Sequence, residues 1–173
     1  MRSEPLADPH EAVVAHLRAL GVEHDIVPCD PALADTAAFC AAYGYSPDES
    51  ANTIVVAGRG RGAGDSSPPR HVACVVLATT RLDVNRTVRQ RLGVRKASFA
   101  DAEATQALTG MTVGGVTPFG LPEDLAVWVD ARVMEPPRVV VGGGSRSWKV
   151  LCPPRSILAV PGAEVVDGLA VPA

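Results

Sequence analysis

The sequence predicts one α/β domain in which helices pack on a curved, mixed β-sheet. Three observations lead there. Helical patterns alternate with six or seven strand-like runs, some joined by helices and others by tight glycine turns, which excludes a purely parallel sheet. One run, His71–Ala78 (HVACVVLA), is apolar almost throughout and so belongs at the sheet centre. The 173 residues are 47% hydrophobic and 20% charged, enough for a single buried core and too apolar for a disordered chain. Aromatics make up only 4%, so Ala, Val and Leu must fill that core.

The elements follow in order. Asp8-Pro9-His10-Glu11 starts a helix with Asp8 as N-cap, Pro9 at the first position and Glu11 closing a capping box. Val13, Val14, Leu17 and Leu20 mark its apolar face and Gly21 ends it. His24–Pro28 reads as a short strand, and residues 36–43 as a second helix stopped by Gly44. Asn52–Ala57 and His71–Ala78 are strands separated by a Gly/Ser/Pro/Arg stretch, so residues 58–70 are expected to be a flexible loop. That loop carries Arg59 and Arg61, and reads as a tolerated insertion in preference to a phosphate site. Asp83 caps a helix through Leu92, with Gly93 as its stop. A strand at 95–99 and a helix over Asp101–Thr109 come next. Ala126–Ala131, Arg138–Gly142 and Ser147–Cys152 are three further strands, the last two joined by the turn Gly143-Gly144-Ser145-Arg146. A helical turn at Arg155–Leu158 closes a core spanning about 10–160, and residues 164–173 are expected to be a loose tail.

Charge is unevenly spread beneath a net −3 and a pI near 5.8. Residues 1–50 carry two arginines against nine acids, whereas residues 81–96 carry six bases against one acid. A basic stripe on an acidic body suits a partner with a localised anionic end, or is simply a solvated helix face. Fourteen of the sixteen bases are arginine; the lysines are Lys96 and Lys149. Cys29, Cys40, Cys74 and Cys152 form no C-x-x-C pair, and the four histidines show no H-x-x-x-H spacing. No metal site is therefore expected, and the thiols read as reduced and buried. No apolar run approaches the ~20 residues that span a bilayer, and MRSEPLADPHE lacks the features of a secretion signal, so the expected compartment is the cytosol.

The densest motif is Thr109–Pro122, TGMTVGGVTPFGLP. Glycine lets another backbone or a ligand approach closely, and proline fixes the exit, so this loop is either a rigid crossover or a set of exposed amides put to use. The order Thr-Gly-x-x-x-Gly-Gly-Val-Thr-Pro-Phe-Gly (109–120), a strand ending Val-Trp-Val-Asp (127–130), then Val-Gly-Gly-Gly-Ser (141–145) resembles the YbaK and prolyl-tRNA-synthetase-associated editing domain family. The section VVLATTRLDVNRTVRQRLGVRKASFA (75–100) is similar to that family's middle, and the likeness runs from about Val13 to Leu158.

The resemblance implies a pseudo-barrel α/β fold and metal-free hydrolysis of the ester between a wrongly attached amino acid and the terminal adenosine of tRNA. It implies a tRNA partner, no cofactor, and an aminoacyl-tRNA synthetase as a candidate second partner; neither a membrane nor DNA is expected. Gly114 and Pro118 fill the family's G-x-x-x-P motif, whose backbone amides hold the aminoacyl ester or terminal ribose, with Gly115 and Thr117 inside it. Asp130 matches the aspartate of the next strand, where it can bind the α-ammonium, orient the water, or merely cap the turn at Ala131–Arg132. Ser145 and Ser147 either line the pocket or satisfy the hairpin. An aminoacyl ester is already activated, so positioning a water and polarising the carbonyl suffice, and no nucleophile elbow or Cys/His pair is present.

One departure stands out. The family places a lysine before Thr-[Leu/Ile]-Val-Val to hold the tRNA 3′ end, but this chain reads Asn52-Thr53-Ile54-Val55-Val56. Asn52 keeps hydrogen-bonding capacity without the charge. Lys149 or Arg146 can compensate; otherwise Lys149 is an exposed strand lysine. The leading expectation is a freestanding trans-editing aminoacyl-tRNA deacylase. The alternatives are a noncatalytic module binding aminoacyl-tRNA or a nucleotide, and a hydrolase of another activated ester or amide.

Overall fold

Residues 8–60, 64 and 66–173 are described by the computed structural model, so Arg61 and most of the centre of the 58–70 loop lie outside the described residues. Helix α1 (Pro9–Leu20) begins where Asp8 accepts a hydrogen bond from the His10 N–H and ends at Gly21 in the left-handed region. Strand β1 (Asp25–Pro28), α2 (Thr36–Tyr43), β2 (Ala51–Arg59) and β3 (Arg70–Leu77) follow, close to their expected bounds. Then come β4 (Thr80–Leu82), the short α3 (Arg89–Leu92), β5 (Lys96–Phe99) and α4 (Ala102–Thr109). After the glycine loop lie β6 (Ala126–Asp130), β7 (Val139–Gly142), β8 (Trp148–Cys152), β9 (Ala163–Val166) and β10 (Ala170–Pro172).

The five-stranded sheet has the order β5-β2-β3-β6-β9, which puts the apolar β3 at its centre. β2 pairs antiparallel with β3 from Ala51↔Leu77 to Gly58↔Arg70, while β3–β6 and β6–β9 are parallel, so the sheet is mixed. A second sheet, β1-β8-β7, is antiparallel throughout. It touches the first at a bridge between Ser50 and Val140. The described strands form no closed barrel. The reason is local: β5 pairs with β2 only from Val56 to Arg59, and the bridge to β7 is at Ser50, just before β2 begins, so the first half of β2 has a partner only in β3.

Side chains alternate across the large sheet and fill two cores. Ala73, Val75, Val127 and Val129 pack against Val13 and Leu17 of α1 and against Val141 and Val150 of the second sheet. Val72, Cys74, Val76 and Trp128 on the other face are covered by Val84, Val88 and Leu169. Among the described residues no helix is long and apolar enough to cross a membrane.

Two expectations change. The helix from Asp83 to Leu92 is a π-helical segment, Val84–Val88, followed by the single α-turn of α3. The Asp83 carboxylate accepts from the Thr87 hydroxyl at 3.0 Å and leaves the backbone amides of the first turn uncapped. The tail is not loose. β9 extends the large sheet, β10 pairs with β4, and Leu169 and Ala170 are buried. These strands are too short to announce themselves by periodicity, but neighbouring edges supply their hydrogen bonds.

Candidate functional site

Two glycine loops and one helix make the frame of a cavity. The Thr112 carbonyl accepts from the Gly115 N–H at 2.8 Å, closing a β-turn in which Gly114 has φ +91°. That is the position where a type II turn requires a residue free of Cβ strain. The Gly115 carbonyl then accepts from the Gly144 N–H at 2.7 Å, joining this loop to the β7–β8 hairpin. A Cβ on Gly142 would run into the Val116 carbonyl oxygen and lie 2.8 Å from that of Gly115, so only glycine permits this approach. Helix α1 braces both loops. His10 stacks on Trp148 and its Nδ1 lies 2.8 Å from the Gly143 carbonyl, while His16 Nδ1 accepts from the Gly120 N–H at 2.6 Å. Burial lowers the pKa of His16 and favours the neutral ring that this bond needs.

Between these loops, the start of α2 and the first half of β2 lies a cavity of about 350 Å³. Its wall includes Gly114, Val116, Asn52, Thr53, Asp35 and Lys149. The Gly114 and Val116 N–H groups make no hydrogen bond among the described residues. Thr53 falls where β2 has lost the β7 bridge and not yet gained β5; the Val55 carbonyl is the first on that edge to be taken, by the Ala100 N–H at 2.9 Å. Alternation places the Thr53 N–H and C=O on the same open edge. The Thr53 hydroxyl is buried without a hydrogen-bond partner among the described residues.

Lys149 is the cation of the cavity. It is 7% exposed, and its ammonium donates to the Ala34 carbonyl at 2.8 Å and to the Gly114 carbonyl at 3.4 Å, 5.4 Å from the centre of the Phe39 ring. Burial, ahead of the opposing pull of the Cys29 thiol, lowers its pKa. The expectation of an exposed strand lysine is thereby replaced. Asn52 is exposed, and its carbonyl oxygen accepts from the Thr36 hydroxyl at 2.8 Å, so its NH₂ remains the free half of the amide.

Other expected site residues lie elsewhere. Both Asp130 oxygens are taken: one accepts from the Arg132 N–H at 3.0 Å, the other from the Ala170 N–H at 2.9 Å, and the residue is 1% exposed. Its place is structural, capping the turn after β6 and fixing β10; it does not line the cavity. Thr117 and Pro118 are buried within the loop and do not line the cavity, and the Thr117 hydroxyl has no hydrogen-bond partner among the described residues. Ser145 accepts from the Ser147 N–H within the hairpin, so it satisfies the turn. Arg146 lies outside the cavity wall, lapped over Gly114, where it donates to the Pro31 carbonyl and pairs with Asp35 at 3.3 Å.

Asp35 and Thr36 are two of the polar cavity residues that sequence reasoning passed over. Asp35 heads α2 without making a side-chain cap hydrogen bond, and its largely exposed carboxylate pairs with Arg146 at the edge of the cavity it lines. An acid at a helix start reads as an N-cap, so no separate signal marked it. Among the described residues no three His, Cys, Asp or Glu side chains gather as a metal site.

Comparison with known proteins completes the picture. Residues 30–156 match the model of the aminoacyl-tRNA editing domain. The chain belongs to that family. The editing domain is also similar to a solved structure described as a proposed trans-editing enzyme for prolyl tRNA synthetase, at 23% identity and a TM-score of 0.78, covering 94% of this chain and 98% of that one. The hypothetical protein APE2540 matches at 25% identity and a TM-score of 0.79, over 92% of this chain and 99% of that one. The span matched by the family model contains Asn52, Gly114 and Lys149, and so the whole glycine-loop wall of the cavity.

Proposed function

We propose that this editing domain is a deacylase acting in trans on mischarged aminoacyl-tRNA in the cytosol, without a metal or other cofactor. The observation that carries the reading is the cavity wall: unengaged Gly114 and Val116 amides stand beside the buried Lys149 ammonium. Water adds to the ester carbonyl, the carbonyl–ribose oxygen bond breaks, and the proton from water ends on the released ribose hydroxyl. Charge that grows on the carbonyl oxygen is met by the amides and by Lys149, and each such donor typically contributes ~10²–10³ in rate. Asp35 takes the part first assigned to Asp130 and holds the substrate α-ammonium. The open Thr53 edge and the Asn52 NH₂ hold the terminal ribose. Gly115 and Pro118 act through loop geometry, Thr117 through packing, and Ser145 and Arg146 by bracing the loop from outside. Lys149 supplies the charge that Asn52 lacks, from another strand of the cavity wall.

The test is a deacylation screen over mischarged tRNAs with pure, folded protein in the presence of a chelator. Release of amino acid from at least one species is expected, and no release from any of them defeats the proposal. A second reading, a noncatalytic module that binds aminoacyl-tRNA, a nucleotide or a synthetase, is favoured by the neutral Asn52. Hydrolysis that appears only in Asn52→Lys would select it.

A further inference from the structure

A second groove, of about 320 Å³, lies where the end of β5 meets β4, the start of the π-helical segment and β10, and is lined by Phe99, Arg81, Asn85, Asp83 and Val171 among others. Phe99 is 58% exposed, more than any other large apolar side chain described, and is left largely uncovered by the described residues. The register pairs it with Val56, whereas the next residue, Ala100, lines the cavity. Alternation turns Phe99 and Ala100 to opposite faces, but the cavity also reaches Ile54 on the Phe99 face, so a chain that leaves it over the open edge of β2 and wraps round the end of β5 meets the Phe99 ring. The surroundings are cationic. Arg81, Arg86, Arg95 and Lys96 are exposed and form no ion pair among the described residues, whereas Arg91 is paired with Glu164 and lies over Trp128. The acid of the groove, Asp83, is engaged by the Thr87 hydroxyl.

An exposed ring among free cations fits single-stranded nucleic acid, whose bases stack on aromatic faces while its phosphates meet arginine and lysine. We infer that this groove is a subsite for the unpaired 3′ end of tRNA, with Phe99 stacking the base before the terminal adenosine. Arg81 and Lys96 meet the phosphates, and the Asn85 amide is placed for a base edge. The inference rests on the editing reading for what fills the cavity, and extends it to how the RNA enters.

The test is the affinity, by fluorescence anisotropy, for an uncharged tRNA and for the same tRNA lacking its three 3′-terminal nucleotides. Phe99→Ala is expected to weaken the intact tRNA about tenfold, the effect of losing one base–aromatic stack. It should weaken the truncated RNA far less, and Phe99→Tyr, which keeps the ring, should restore binding. Circular dichroism establishes that the variants are folded, and Phe99→Leu serves if the alanine variant is not. Unchanged affinity for intact tRNA, or equal losses for both RNAs, overturns the inference. Deacylation is read separately: a ring-dependent affinity without hydrolysis removes the deacylase and keeps the subsite.

Discussion

Replacing Lys149 by methionine separates the charge from the packing. Methionine keeps the length and most of the volume of the lysine stem, and such volume-conserving changes cost less than about 1.5 kcal/mol in packing. Two larger effects oppose each other. The variant loses hydrogen bonds to the Ala34 and Gly114 carbonyls, each about 1.5–3 kcal/mol for a charged donor. It also escapes the burial of an ammonium that is 7% exposed, a penalty of several kcal/mol. They are of similar size, so Lys149→Met is expected to stay folded, within about 2 kcal/mol of wild type at pH 7. Activity has no such offset, and kcat/KM should fall ~10²–10³ through loss of the cation beside the carbonyl. The pH dependence has a definite sign. Burial sets the folded pKa of Lys149 below 10.5, so the unfolded chain binds the proton more tightly. Its penalty is complete below the folded pKa and fades as pH rises towards 10.5, and wild type should gain stability over Lys149→Met in that window. Urea denaturation across pH and single-turnover deacylation check both parts. A folded variant that hydrolyses substrate within threefold of wild type would refute the role of Lys149.

Asp130→Ala strands the Arg132 and Ala170 N–H groups, so a stability loss of about 2–4 kcal/mol is expected by denaturation, with hydrolysis per folded molecule largely kept. A large loss of kcat in fully folded protein would return Asp130 to the chemistry. Gly142→Ala must push the two glycine loops apart, because the obstruction is backbone, and should lower stability by about 2–3 kcal/mol together with activity. His16 has a folded pKa below 6.5, so its contribution to stability is lost as pH falls from 6.5 through that lowered value. His16→Gln retains an acceptor for the Gly120 N–H without titrating there, and should flatten the stability profile between pH 7 and 5. An unchanged slope would sink that account.

The residues near the cavity were not equally legible in the sequence. Gly114 and Lys149 could be singled out from the chain, one by its motif and the other by the scarcity of lysine. The sequence left Asp130 open between substrate contact and a cap because a strand-ending aspartate looks the same whether its oxygens are free or occupied, and one of the occupying amides, on Ala170, lies 40 residues away. Asp35 and Thr36 carried no signal, since their approach to Asn52 exists only once α2 is docked near β2.

By itself the sequence determined the order of most elements from α1 to β8, the central place of β3 and the glycine-rich loop at 109–122. Those follow from local periodicity and backbone sterics, which act over a few residues. Only the tertiary structure decided that the barrel stays open, that the tail forms β9 and β10, and which polar groups line the cavity. Each depends on whether a distant backbone group takes a hydrogen bond, and a chain read in order does not contain that distance.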